Sequence, residues 1–307
     1  MWDRAFERAG HQVTRIPQEL THRHPHSVMS DILTLHPDVV FYSRTHDSTA
    51  LTPNNWTSNW RYLESEGIKT AALHADLFWG LEAERESLIK DGDPLFTMGT
   101  VFTADGGHQE EFAKYGVNHV WCPPCIDIEN AHEGVWKEEY ACDVVFVGSG
   151  GYHPAYPERP ALIQAAHEKW GERFKHFGND GIAVVRGQEL CDVIASAKVV
   201  LGDSCFALNP DKVVDYYWSD RIPETLGRGG VMAHARTLGL EAFSSSPYLG
   251  MNTMFQTPND VDSIINYTHE LVGLSLYSDQ KIGMQVVRKH HTFDARAKEV
   301  LDALGLG

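Results

Sequence analysis

Ser219-Asp220-Arg221-Ile222-Pro223-Glu224-Thr225-Leu226-Gly227-Arg228-Gly229-Gly230-Val231-Met232 reads as a short helix, a glycine stop and a buried strand. Asp220 is placed to cap the orphan N–H groups of the first turn, and Pro223 is tolerated because first-turn nitrogens have no intrahelical partner. Gly229 or Gly230 takes the positive φ that ends the helix, and Val231-Met232-Ala233 opens the next strand. One helix–strand corner thereby gathers Arg221, Glu224 and a backbone-exposing glycine pair. These groups suit a nucleotide diphosphate: guanidinium for phosphate, carboxylate for ribose hydroxyls, close main-chain approach at glycine. They suit an ordinary capped α/β turn equally well, so the flanking sequence has to decide.

Toward the N-terminus the corner is preceded by a strand at Lys198–Gly202, a helix at Gly187–Ala197 and a strand at Phe174–Gly178. A helix over about Pro157–Trp170 comes before these, and before it Asp143-Val144-Val145-Phe146-Val147-Gly148, continuous and apolar like a central parallel strand. Cys122 to Tyr140, rich in turn residues and charges, reads as a linker. A second series lies upstream of it. Its strands are expected at His11–Ile16, Asp38–Tyr42, Lys69–Leu73, Leu95–Met98, Thr100–Thr103 and Gly116–Trp121. Its helices are expected at Trp2–Ala9, Val28–Leu35, Trp56–Gly67 and Gln109–Tyr115. The chain ends in an amphipathic helix from Thr292, with Phe293, Ala297, Val300, Leu301 and Leu304 on one face. Strands alternating with helices predict an α/β protein with parallel sheets covered on both faces. The expected domains are 1–125 and 126–307, two Rossmann-like halves with a cleft between them.

Length, charge and cysteines narrow the function classes. At 307 residues the chain has room for two cores. Its formal charge of −16, from 42 acids against 26 bases, repels nucleic acid and anionic lipid at long range and counts against a DNA-coating role. No apolar run is long enough to span a bilayer and the first residues read as neither signal nor transit peptide, so a cytoplasmic location is expected. Five cysteines without framework spacing are expected to be free thiols. Cys122-Pro123-Pro124-Cys125 has the CxxC spacing but no second ligand pair at finger distance. His22-Arg23-His24-Pro25-His26 lacks carboxylates and reads as an exposed loop, and Asp91-Gly92-Asp93-Pro94 as a turn rather than an Asp-x-Asp metal site.

The ordered set of segments resembles GT-B glycosyltransferases of group 1, more narrowly the CgeB-like, spore-maturation type often found in phages. Ala9-Gly10-His11-Gln12-Val13, His36-Pro37-Asp38-Val39-Val40 and Phe102-Thr103-Ala104-Asp105 carry the likeness in the first half. Tyr115-Gly116-Val117 and Pro123-Pro124-Cys125-Ile126-Asp127 lead into the second, where Asp143–Ser149, Arg221–Gly230 and His291–Arg296 complete it. The chain departs from the family twice. It opens on a helix where the family opens on a strand and a glycine-bearing loop, so the first strand is expected to be missing, with its place covered by another segment or a partner chain or the true reading frame beginning upstream. Tyr216 stands where many relatives carry a glutamate, eight positions before Glu224.

The resemblance implies a nucleotide-sugar donor, most simply a UDP-sugar, held by the second half. Strand ends and the corner then nominate Glu224 for the ribose, Arg221, Arg159 and Lys212 for the phosphates, and Gly148, Ser149, Gly229 and Gly230 for main-chain approach. Arg186 lies where relatives hold the base. On the acceptor side, His46, Asp76 and Asp105 follow first-half strands and are the candidate catalytic groups, as a base or as positioning groups. GT-B enzymes generally need no metal, so no metal or resident cofactor is expected. The reading is transfer of a sugar to an acceptor hydroxyl on a modified nucleic acid, a glycan or a small molecule, with the oligomeric state open. A catalytically silent nucleotide-sugar-binding or assembly protein and a GT-B-type epimerase are the alternatives.

Overall fold

A computed structural model describes residues 1–17, 24–44, 56–75, 82–151, 158–204, 216–235, 254–257, 260–275 and 277–307. The chain divides into two compact units, Met1–Pro123 with Arg296–Gly307, and Pro124–Ala295.

The first unit runs α1 (Trp2–Arg8), α2 (Pro25–Leu35), β1 (Val39–Arg44), α3 (Trp56–Ser65), β2 (Lys69–His74), α4 (Glu82–Asp91), β3 (Thr100–Thr103), α5 (Gln109–Ala113) and β4 (Asn118–Trp121). Its strands form a 4-stranded parallel sheet in the order β1-β2-β3-β4, without a reversal. On one face Trp56, Trp60 and Leu63 of α3 join Val28 and Ile32 of α2 over Ala72 and Val101. On the other, Trp2 and Phe6 of α1 pack with Phe41, Phe102, Val300 and Leu304. Two sequence expectations fail here. His11–Ile16 forms no strand: its alternating pattern buries nothing, and Ile16 stays 37% exposed. Leu95–Met98 is not a strand either. Asp93 accepts a hydrogen bond from the Leu95 N–H at 3.0 Å and folds Pro94–Phe96 into a 3₁₀ turn, so the apolar run is buried in a turn instead of a sheet.

The second unit runs β5 (Cys142–Val147), α6 (Glu158–Trp170), β6 (Phe174–Phe177), α7 (Gly187–Ser196), β7 (Ala197–Gly202), α8 (Arg221–Gly227), β8 (Met232–Ala235), β9 (Met254–Thr257), α9 (Val261–Val272) and α10 (Tyr277–His290). Helix α11 (Phe293–Ala303) begins here and from Arg296 onward counts with the first unit. The 5-stranded sheet is parallel, in the order β6-β5-β7-β8-β9. Leu162 and Ala166 of α6 and Ile264 and Leu271 of α9 cover one face, over Val144, Phe146 and Leu201. Val193 and Ile194 of α7 cover the other, over Val145 and Val200. The chain leaves β5 for β6 on one side and returns to β7 on the other, which makes the β5/β7 boundary a topological switch point. Ligands of open α/β sheets bind outside the strands' carboxyl ends at such a point.

The opening corner folds as read, with one correction. Gly229 takes φ +77°, its N–H donates to the Leu226 carbonyl at 3.0 Å, and Gly230 donates to Thr225 at 2.9 Å, closing α8 in the two-bond glycine stop. Asp220, however, has helical backbone angles (φ −54°, ψ −23°) and its side chain caps nothing; its carbonyl instead accepts the Glu224 N–H at 2.9 Å. No helix among the described residues is long and apolar enough to cross a membrane.

Candidate functional site

A pocket of about 370 Å³ opens at the carboxyl end of β5, lined by Gly148, Ser149, Arg186, Arg221 and Glu224 with Asp220, Asn179 and Val184. The switch point, the loop after β6, the start of α7 and the face of α8 therefore meet around one volume.

Arg221 is fixed by the strand it reaches over. Its Nε donates to the Val147 carbonyl at 2.7 Å, its guanidinium carbon lies 5.1 Å from the Phe146 ring centre, and one terminal nitrogen is 3.5 Å from the Asp203 carboxylate. Gly148 makes room for it. At φ +142° this residue favours glycine, and a Cβ there would lie 2.5 Å from one Arg221 nitrogen and 2.8 Å from Nε. Arg221 remains 18% exposed into the pocket, while Asp203, just after β7, is fully buried.

Arg159 has a different part. Only 1% exposed, it grips Asp203 with two bonds of 2.8 and 3.1 Å and donates to the Ser149 carbonyl at 3.2 Å. It is a structural cation behind the pocket rather than a surface ready for phosphate. Beside it, Ser204 (φ +46°) accepts the Ser219 N–H at 2.9 Å and pairs with His234 Nε2 at 2.7 Å. His234 Nδ1 donates to Ala235 O at 2.5 Å, so Nε2 accepts from the Ser204 hydroxyl; complete burial holds the imidazole neutral, with its pKa lowered to about 4.

Glu224 faces the pocket with its side chain 29% exposed and is bonded by Arg228, one turn on. Burial pushes its carboxyl above the ordinary range, and the Arg228 guanidinium opposes that push. Gly229 and Gly230 lie behind. A Cβ at Gly229 would meet Glu133, and one at Gly230 would meet Ile194 and Thr225, so these glycines serve packing within the unit. Arg186, exposed at the entrance to α7, supplies a second pocket cation.

Lys212, His46 and Asp76 lie outside the described residues. Asp105 follows β3 in the first unit, 1% exposed, with one carboxylate oxygen 3.9 Å from His108 Nε2. Next to it, the Thr103 hydroxyl donates to the Asp105 carbonyl at 2.5 Å and lies 2.8 Å from His119 Nε2. The His119 ring stacks on Phe112, and burial lowers its pKa to about 4. This supporting imidazole had no sequence signal beyond a histidine inside an apolar strand. Asp203 sits at a strand end on the ligand side but was given no role, because only the fold brings two arginines onto it. The Cys122 thiol of the CxxC stretch is buried and pushed up to about 12, which suits packing and not redox chemistry.

Residues 136–302, more than half of the chain, match the family described as glycosyl transferase-like. No curated protein sequence matches. Among solved structures the chain is similar to a glycosyltransferase from Rickettsia africae (10% identity, 96% of this chain and 83% of that one, TM-score 0.56). It is also similar to HepE of Anabaena in complex with UDP and glucose (9%, 95% and 84%, TM-score 0.61). A third likeness is to sucrose-phosphate synthase from Thermosynechococcus elongatus (12%, 95% and 80%, TM-score 0.54). At such identities the likeness is one of fold.

Proposed function

The chain belongs to the glycosyl transferase-like family, an enzyme of the glycosyltransferase class, and on that premise we propose that it transfers a sugar from a UDP-sugar, bound in the pocket of the second unit, to an acceptor hydroxyl. The observation that carries this reading is the convergence of Arg221, Arg186 and Glu224 on one pocket at the β5/β7 switch point. Arg221 meets the diphosphate, Glu224 accepts from the ribose hydroxyls, and the base lies against Val184 and Arg186. The Anabaena neighbour, solved with UDP and glucose, supports the choice of nucleotide.

In the transfer, the bond from the anomeric carbon to the β-phosphate oxygen breaks as the acceptor oxygen bonds to that carbon. The leaving diphosphate gains charge, and a guanidinium already fixed on Val147 and Phe146 stabilises it without reorganising. The acceptor proton passes to a base or, in a retaining reaction, to the departing phosphate oxygen. Asp105, His46 and Asp76 are assigned to positioning the acceptor or taking that proton. Arginine chemistry at the phosphates fits a transfer without a resident metal. The two halves are read as the Rossmann-like domains of a GT-B enzyme. The narrower CgeB-like and phage assignment rests on the sequence motifs, and the acceptor is a modified nucleic acid, a glycan or a small molecule.

Calorimetric titration with UDP, GDP and uridine, followed by UDP-sugar hydrolysis, tests the proposal. UDP is expected to bind more tightly than GDP or uridine, with slow donor hydrolysis in the absence of acceptor. Binding without any turnover would favour the silent nucleotide-sugar-binding reading, which Tyr216 in place of the relatives' glutamate makes worth measuring. No UDP binding at all would remove the proposal.

A further inference from the structure

We propose that Arg228 is the positioning residue that holds the Glu224 carboxylate aimed into the nucleotide pocket, a role that rests on reading Glu224 as the ribose acceptor. Arg228 follows the last turn of α8 and is only 3% exposed. It donates to the Glu224 carboxylate, from the same nitrogen to the Glu224 carbonyl at 3.1 Å, and from Nε to the Cys191 sulfur at 3.3 Å. Cys191 belongs to α7 and is fully buried. One guanidinium thus ties the pocket carboxylate to the helix that brings Arg186 to the same pocket.

A surface pair at this spacing steadies a helix only slightly and needs no burial. Here the arginine is taken out of water, which is costly unless its charge is matched and its donors are used. The match is Glu224, whose other side faces the pocket. The charges around Glu224 make the need plain. Asp220 on its own helix and Asp127 at the entrance to the second unit push the carboxyl up, as burial does, while Arg228 pulls it down. Arg221 and Arg186 share the pocket but are assigned to phosphate and base. With Arg228 gone, the carboxyl would hold its proton to higher pH and lose an acceptor site for ribose. An always-charged, planar arginine suits this task, since it can hold carboxylate, carbonyl and sulfur at once.

The test follows the Glu224 carboxyl by ¹³C NMR titration in ligand-free protein and measures UDP affinity from pH 5 to 8. Wild type, R228M, R228K and E224Q are compared. R228M is expected to raise the Glu224 midpoint by about one pH unit or more. It should weaken UDP several-fold at pH 5 and progressively less toward pH 8. R228K keeps a cation but cannot make all three contacts, so its midpoint should stay near wild type while UDP weakens several-fold. An unchanged midpoint and unchanged affinity in R228M, with E224Q weakened, overturn the role of Arg228 alone. If the methionine variant does not fold, wild-type affinity in R228K overturns it. E224Q binding UDP as tightly as wild type overturns the ribose reading beneath it.

Discussion

Gly148→Ala tests the site through a residue with no functional group. An alanine Cβ would sit 2.5 to 2.9 Å from three atoms of the Arg221 guanidinium, too close for both to stay. The backbone resists as well, because φ +142° is held by a loop whose Gly148 N–H donates to the Phe177 carbonyl at 2.7 Å. An L-residue in such a conformation costs about 1–3 kcal/mol. The displaced arginine gives up its 2.7 Å bond to Val147 and its place over Phe146. Bonds from a charged donor are worth roughly 1.5–3 kcal/mol, part of which water in the pocket returns. A stability loss of about 2–4 kcal/mol follows, readable as a lowered urea midpoint. For the ligand, the roughly 1.5–3 kcal/mol of a bond from a charged donor translates to a loss of about ten- to a hundredfold in UDP affinity, with uridine changed less than about twofold. Calorimetry on wild type, G148A, R221A and the double variant completes the cycle. Both single changes remove the same contact, so the double variant should bind UDP no worse than R221A. Equal losses for UDP and uridine, or wild-type UDP binding in G148A beside a weakened R221A, would refute the argument.

Asp203→Asn removes the carboxylate that Arg159 grips twice in the core, and a broken buried pair of this kind costs about 3–5 kcal/mol; chemical denaturation should show it, and a loss below about 1 kcal/mol would mean the arginines repack freely. Glu224→Ala leaves the buried Arg228 without its carboxylate, so it should lower the urea midpoint, and it should weaken UDP by an amount equivalent to about 1.5–3 kcal/mol, with unchanged affinity in the folded variant removing Glu224 from the site. His119 and His234, both lowered to about 4 from an ordinary 6.5, bind protons more readily unfolded than folded. Their contribution is therefore complete above about pH 6.5 and lost as pH falls toward 4, roughly 2 kcal/mol per histidine between pH 7 and 5. Denaturation curves at those two pH values for wild type and His234→Gln should show a smaller pH difference in the variant.

The alternation of apolar strands and amphipathic helices was legible because the strands from Val39 to His234 carry their own core-facing apolar residues in sequence. Asp143–Gly148 reads as a central strand for the reason it is one, being covered on both faces. Periodicity failed where tertiary pairing decides. His11–Ile16 reads like a strand yet pairs with none among the described residues, and Leu95–Met98 is apolar enough for a strand yet is turned by Asp93 and Pro94. Helices α4, α9 and α10 and strand β9 went unassigned. Arg221, Glu224, Gly148 and Ser149 were nominated from strand ends and the α8 corner and Arg186 from the family resemblance, and the fold brings them to one pocket. The division of labour among the arginines was not legible. Residue type gives Arg159, Arg221 and Arg228 the same chemistry, and only burial and partners separate a core clamp, a pocket cation and a carboxylate holder.

That division bears on how a chain of net charge −16 would attract the diphosphate proposed for its pocket. Asp203 is closed off from water, and Arg159 satisfies it with two short bonds from within the core. The outer arginine is engaged by Asp203 only at 3.5 Å, so two guanidinium charges less one carboxylate leave about one positive charge, and it resides on Arg221. Arg228 is likewise balanced by Glu224, which cancels that pair at the pocket wall. The arrangement concentrates the unbalanced cation at the β5/β7 switch point, where the low dielectric of Phe146 and the strand ends strengthens its attraction for phosphate. Surface acids elsewhere are screened within about 8–10 Å at physiological salt and reach this point weakly. Local placement by the sheet's topology, and not overall charge, would therefore draw the proposed diphosphate to the second unit.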